Sequence, residues 1–176
     1  LVTGSTSGIG LGIARAFAQQ GANVMLNGFG DAAQIETLRA DLEREHGVRV
    51  AFCGADLGRP VDVRALAEAT LATFGRLDIL VNNAAFNKAI PFQNIDDLTP
   101  EIWAKIIDVN LTGPMRLTKA AAPFLKASGR GRIVNISSVA GLGPQGSSIA
   151  YAVSKAGLIH LTKCTAVALA PEVLVN

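Results

Sequence analysis

Two rhythms of apolar residues alternate along the chain. Short continuous apolar runs bounded by Gly, Asn or Asp are separated by longer stretches in which apolar positions return every three or four residues. The first run ends at Leu1-Val2 and leads directly into Thr3-Gly4-Ser5-Thr6-Ser7-Gly8-Ile9-Gly10. Helical spacing then covers residues 9–20, Gly21 closes it, and residues 22–27 read as a strand. Asp31 and Gln34 make a capping box for a helix to about His46; Gly47 is its stop and residues 48–52 the next strand. The unit repeats, with a helix over 60–74 ended by Gly75 and a strand over 77–81. Thr99-Pro100-Glu101 is a cap with Pro at the first helical position. It opens a helical region through Leu125 that Gly113-Pro114 and Pro123 are expected to bend. A fifth strand over 132–136, a helix over 150–169 and a short sixth strand from Val173 complete the pattern. Apolar strands alternating with amphipathic helices require helices on both faces of a parallel sheet. The predicted fold class is therefore α/β, a doubly wound parallel sheet, in one domain over 1–176. Its first strand has only its last residues and the sixth has nothing after it to cover it, so the domain is expected to be truncated at both ends.

With 49% hydrophobic and 17% charged residues, the composition excludes a disordered or fibrous chain. A formal charge of +2 with scattered Lys and Arg argues against a nucleic-acid partner. No apolar run reaches the roughly 18 residues of a membrane span. Cys53 and Cys164 lack C-x-x-C spacing and sit among apolar neighbours, so they read as reduced core residues of a cytoplasmic protein. His46 and His160 are isolated from other ligands, so no metal site is expected.

Candidate chemistry lies at the strand ends. Gly4 suits a tight turn, while Gly8 and Gly10 let backbone approach a pyrophosphate at the start of the first helix, where Ser7 and Ile9 also stand. The turn lacks the Lys of a triphosphate-binding loop, which favours a dinucleotide over a nucleotide triphosphate; a generic Gly-rich turn is the alternative. Asp56, followed by Leu57, is placed to accept from an adenine amino group; a solvated turn carboxylate is the alternative. Asn82-Asn83-Ala84-Ala85 ends the fourth strand, either bordering a cofactor and tying loops together or forming a plain Asx turn. Tyr151 and Lys155 are four apart on a helix, and an ammonium beside a phenol favours phenolate. Alone, they are equally a surface pair. Ser138 follows the fifth strand at the carboxyl edge, where open sheets place ligands, and Asn110 completes the set.

Thr3-Gly4 with Gly8-Ile9-Gly10, Asn82-Asn83-Ala84, Ser138 and Tyr151-Ala152-Val153-Ser154-Lys155 occur in an order that resembles the short-chain dehydrogenases/reductases over the whole chain. The resemblance implies a Rossmann-type dinucleotide-binding domain and hydride transfer between a nicotinamide cofactor and a small alcohol or ketone. By it, Tyr151 is the acid/base, and Lys155 lowers its pKa and binds the nicotinamide ribose. Ser138 polarises the carbonyl or alcohol, and Asn110 holds a water in a proton relay. Gly4, Ser7, Gly8, Ile9, Gly10, Asp56, Leu57, Asn83 and Ala84 join Tyr151 and Lys155 around the cofactor. Ser137 is set aside because Ser138 stands thirteen residues before Tyr151, as in the family pattern. Ala85 departs from the usual Gly, and the family's C-terminal substrate-covering segment has no counterpart.

NADP-preferring members place a basic residue in the first turn or after the second strand. Ser7 and Asn27-Gly28-Phe29-Gly30-Asp31 supply none, so NAD is expected over NADP, although Asn27 stands where NAD-selecting members carry a carboxylate. Residues 4–13 and 26–31 are similar to bacterial D-3-hydroxybutyrate dehydrogenases. Ala140 and Ser148 replace the His and Lys that hold the carboxylate there, leaving that activity an alternative beside 3-oxoacyl reductase and sugar dehydrogenase. A non-catalytic nucleotide-binding or interaction protein is the competing class. Family members are usually homodimers or homotetramers built on the helices of Asn110 and Tyr151, with which Leu158, Ile159 and Leu161 are compatible.

Overall fold

A computed structural model describes residues 1–176. Five strands, β1 (Val24–Asn27), β2 (Val50–Cys53), β3 (Ile79–Asn82), β4 (Gly131–Asn135) and β5 (Val173–Val175), alternate with helices α1 (Gly8–Gln19), α2 (Ala32–His46), α3 (Pro60–Phe74), α4 (Pro100–Ile107), α5 (Gly113–Ala127) and α6 (Ile149–Leu169). All recorded pairings are parallel, β1 with β2 and β3 with β4 with β5. Val2 joins the two groups by parallel bridges to Leu26 and Val81. Counting the short run at Val2, the strand order is β2-β1-Val2-β3-β4-β5, the Rossmann order, with its reversal at Val2.

Successive residues of a strand face opposite sides, and the core divides accordingly. Val24 and Leu26 pack with Ala14, Ala18, Leu42 and Val50, burying α1 and α2 on one face. Met25, Leu80 and Ile133 pack with Leu66, Leu117 and Leu125, burying α3 and α5 on the other. On β5, Val173 and Val175 are buried while Leu174 between them is 47% exposed. No helix is long and apolar enough to cross a membrane.

Local signals set most element ends. Asp31 accepts from Gln34 N at 2.9 Å, and Gly47 and Gly75 end α2 and α3 in the left-handed region. Three features refine the expectations. The helical region from Pro100 carries a π-helical turn, Asp108–Thr112, while α5 continues through Pro123 to Ala127. Cys164 is exposed and not a core residue, whereas Cys53 is half-buried and packs against the larger cluster. Leu158, open to a place at a subunit boundary or within the chain, is buried within the chain.

Candidate active site

The first turn lies at the switch point, between the carboxyl ends of β1 and β3. Gly4 and Gly8 have φ of 62° and 56°, conformations that favour glycine. Gly10 is required by packing, since a Cβ there would lie 2.1 Å from the Gly4 carbonyl oxygen. Ser7 caps α1 without a side-chain hydrogen bond, and Ser7, Gly8 and Ile9 are exposed. The first amides of a helix have no intrahelical acceptor and carry its positive end. A turn in which a Cβ at Gly4 or Gly10 would strike backbone, opening onto such a helix start, fits a pyrophosphate.

Side chains tie this turn to its neighbours. Thr3 Oγ1 accepts from Asn83 N and Ala84 N, both at 3.0 Å, while Asn83 Nδ2 donates to Thr3 O at 2.9 Å and Gly4 O at 3.1 Å. Both Nδ2 hydrogens of Asn83 are thus engaged, and its side chain reaches a ligand only through Oδ1. Asn82 Nδ2 donates to Asn135 Oδ1 at 2.8 Å, and Asn135 Nδ2 donates to Thr162 Oγ1 at 2.9 Å, linking β3 and β4 to α6. Asn27 is buried, and its Nδ2 donates to Cys53 O and Ala55 O, both at 2.9 Å. Its amide therefore holds β1 to the chain leaving β2. Nothing near it in sequence signals this role, because the partners are 26 and 28 residues away. Asp56 Oδ1 accepts from Gly58 N at 2.9 Å, closing an Asx turn. The Leu57 side chain is buried in the core, leaving only its backbone for a ligand.

Around the second constellation, Lys155 is buried and its Nζ donates to Ile136 O at 2.8 Å. Two of its three hydrogens remain for other acceptors. Nζ lies 5.8 Å from the centroid of the Tyr151 ring. Burial pushes the Lys155 ammonium below its ordinary range. Ser138 is half-buried, and its Oγ accepts from Ala140 N at 3.2 Å, which leaves its own hydrogen to donate. Ser137 Oγ donates to Lys155 O at 3.0 Å and so serves the backbone of α6.

Asn110, buried in the π-helical turn, pairs with both backbone groups of Phe86: Oδ1 accepts from Phe86 N at 2.7 Å and Nδ2 donates to Phe86 O at 2.9 Å. Nδ2 also donates to Ser154 Oγ at 3.1 Å. Every polar atom of the Asn110 side chain is engaged with protein. The family pattern names this residue without revealing the clamp. No cluster of three His, Cys, Asp or Glu side chains is placed to hold a metal ion.

The family model for short chain dehydrogenases matches residues 1–176. The chain belongs to this family. Its short-chain dehydrogenase relatives include a D-beta-hydroxybutyrate dehydrogenase of Cupriavidus necator, 42% identical over 94% of this chain and 62% of that protein. The human dehydrogenase/reductase SDR family member 4 is 39% identical over 98% of this chain and 60% of its own length. Among solved structures, a short-chain dehydrogenase from Sphingobium yanoikuyae in complex with NADPH superposes with a TM-score of 0.86. It is 36% identical, with 99% of this chain and 67% of that chain covered. The chain therefore spans about three-fifths of the two curated relatives, and membership of this oxidoreductase family is the level at which they describe it.

Proposed function

We propose that this chain forms the dinucleotide-binding and proton-transfer part of an oxidoreductase acting on a small alcohol or ketone, with Tyr151 as acid/base. The observation that carries the reading is the buried Lys155, which presents an incompletely engaged ammonium 5.8 Å from the Tyr151 ring. A nicotinamide cofactor, when bound, supplies or accepts the hydride. The chain's own residues do the remainder. Gly8, Ile9 and Gly10 offer amides to the pyrophosphate, and Asp56 and the Leu57 backbone border the adenine. Asn83 and Ala84 line the middle of the site. Ser138 donates to the substrate oxygen, Tyr151 gives that oxygen its proton or takes it away, and Lys155 stabilises the phenolate left behind. Asn110 acts through Phe86 and Ser154.

NAD is favoured over NADP because Thr6, Ser7, Gly28, Phe29, Gly30 and Asp31 bring no cation to the end of β1. The family admits both forms, as the NADPH complex of the Sphingobium relative illustrates. The identity to a D-beta-hydroxybutyrate dehydrogenase supports a second reading, a short hydroxy acid as substrate. Weighing against it, Ser148 is buried and its Oγ accepts from Tyr151 N at 3.2 Å, and Ala140 is buried as well. Ala140 has no donor and the Ser148 hydroxyl is sealed from solvent, so neither reaches a carboxylate, which favours uncharged substrates such as a sugar or simple ketone.

The test is Tyr151→Phe, assayed with NAD and NADP against a panel of alcohols and ketones. Turnover should fall by about three orders of magnitude or more, the upper part of the range for losing a positioned acid/base, while cofactor binding by nicotinamide fluorescence is retained. Full turnover by the variant would overturn the assignment. Failure of the wild-type chain to bind either dinucleotide would move it to the interaction-protein class.

A further inference from the structure

The turn that carries Tyr151 and Lys155 is held by three serine hydroxyls. Ser148 Oγ accepts from Tyr151 N at 3.2 Å, Ser154 Oγ donates to Tyr151 O at 2.7 Å, and Ser137 Oγ donates to Lys155 O at 3.0 Å. Ser154 differs from the other two in what lies behind it. It is fully buried, stands between Tyr151 and Lys155 on α6, and accepts from Asn110 Nδ2 at 3.1 Å. Through that amide it joins the Phe86 backbone, and hence the loop that leaves β3 toward the cofactor.

We propose that Ser154 is a positioning residue for proton transfer: its hydroxyl couples the Tyr151–Lys155 turn of α6 to the π-helical turn and to the Phe86 loop. The hydroxyl donates once, to the half-buried Tyr151, and accepts once, from the buried Asn110. Removing it leaves an Asn110 hydrogen without an acceptor inside the protein, a loss relieved only if the amide turns or α6 shifts. Either motion changes the placement of Tyr151 relative to Lys155, the charged group against its ring. This inference rests on the acid/base reading of Tyr151, but its test does not need a known substrate.

Tyr151 is the only tyrosine of the chain, so phenolate absorbance reports it alone. In the full chain, Ser154→Ala is expected to move the midpoint of that titration upward relative to the wild type, because a phenol set farther from the Lys155 ammonium loses part of its attraction. Ser154→Thr, which keeps the hydroxyl, is expected to restore the wild-type midpoint. With a substrate identified, Ser154→Ala should lower kcat about fivefold, the effect of roughly 1 kcal/mol, with cofactor Kd unchanged. Should the alanine variant fail to fold, Ser154→Cys keeps the volume with a weaker donor and takes its place in the comparison. An unchanged midpoint and unchanged kcat in a folded Ala or Cys variant would overturn the proposal. Failure of the wild-type chain to bind either dinucleotide would instead overturn the oxidoreductase reading, leaving the titration to decide on Ser154.

Discussion

At the scale of single residues, the site depends on atoms with no room to move. Gly10 has the Gly4 carbonyl oxygen where a Cβ would stand, and backbone cannot yield as a flexible side chain does. Gly10→Ala should therefore destabilise the fold by about 1–3 kcal/mol, the usual cost of overpacking, and abolish dinucleotide binding; urea denaturation and fluorescence titration would read the two losses. Asn27 makes a second prediction. Both of its amide hydrogens go to carbonyl oxygens, so Asn27→Asp would face Cys53 O and Ala55 O with a buried carboxylate. Stability should drop by about 2 kcal/mol or more at neutral pH, with partial recovery in acid as the carboxyl takes a proton and regains a donor. An Asp that left thermal stability unchanged at pH 7 would show that the clamp is dispensable.

At the scale of elements, helix starts were the most legible features, because a cap acts over three residues. Asp31, Thr99 and Ser148 each accept from a backbone amide three positions on. Asp31→Ala should cost about 1 kcal/mol and lower Tm, read by thermal denaturation, since it removes the cap at the start of α2. Between α4 and α5 the expectation was a bend at Gly113-Pro114 and another at Pro123; the structure has a π-helical turn ending directly before Gly113, and α5 runs on through Pro123. Packing explains its neighbourhood: a Cβ on Gly113 would lie 2.9 Å from Leu57 O, and Asn110 in the same turn must reach Phe86 and Ser154. Both requirements come from residues distant in sequence.

At the scale of the molecule, the parallel sheet gathers the ends of β1, β2, β3 and β4 at one edge, where the two constellations of the site stand. At the amino ends of the strands, Asp78 accepts from Arg76 at 2.8 and 2.7 Å and from Arg130 at 3.0 Å, tying the start of β3 to that of β4. The Arg76 and Arg130 guanidinium groups hold its carboxyl below the usual carboxylate range. The stability it contributes is present above the ordinary Asp pKa and is lost as pH falls through the lowered one. Asp78→Asn should remove that acid-side component, read by urea denaturation at about pH 6 and about pH 3. Equal dependence in the variant and the wild type would place its origin elsewhere.

The sequence by itself determined the alternation of strands and helices, their order, most of their ends, and the residue types of both constellations, because hydrophobic rhythm, caps and Gly stops act within a few positions. It also sufficed for the family resemblance, carried by short runs such as Tyr151 to Lys155. Only the tertiary structure decided which polar side chains are engaged with protein and which remain for a ligand. The donors of Asn83, Asn110 and Ser137 are spent on protein groups and Ser148 is sealed from solvent, while Lys155 and the half-buried Ser138 keep hydrogens in hand. The physical reason is that a hydrogen bond between residues 24 or 80 positions apart, such as Asn110 with Phe86 or Asn83 with Thr3, exists only once the sheet has brought those loops together.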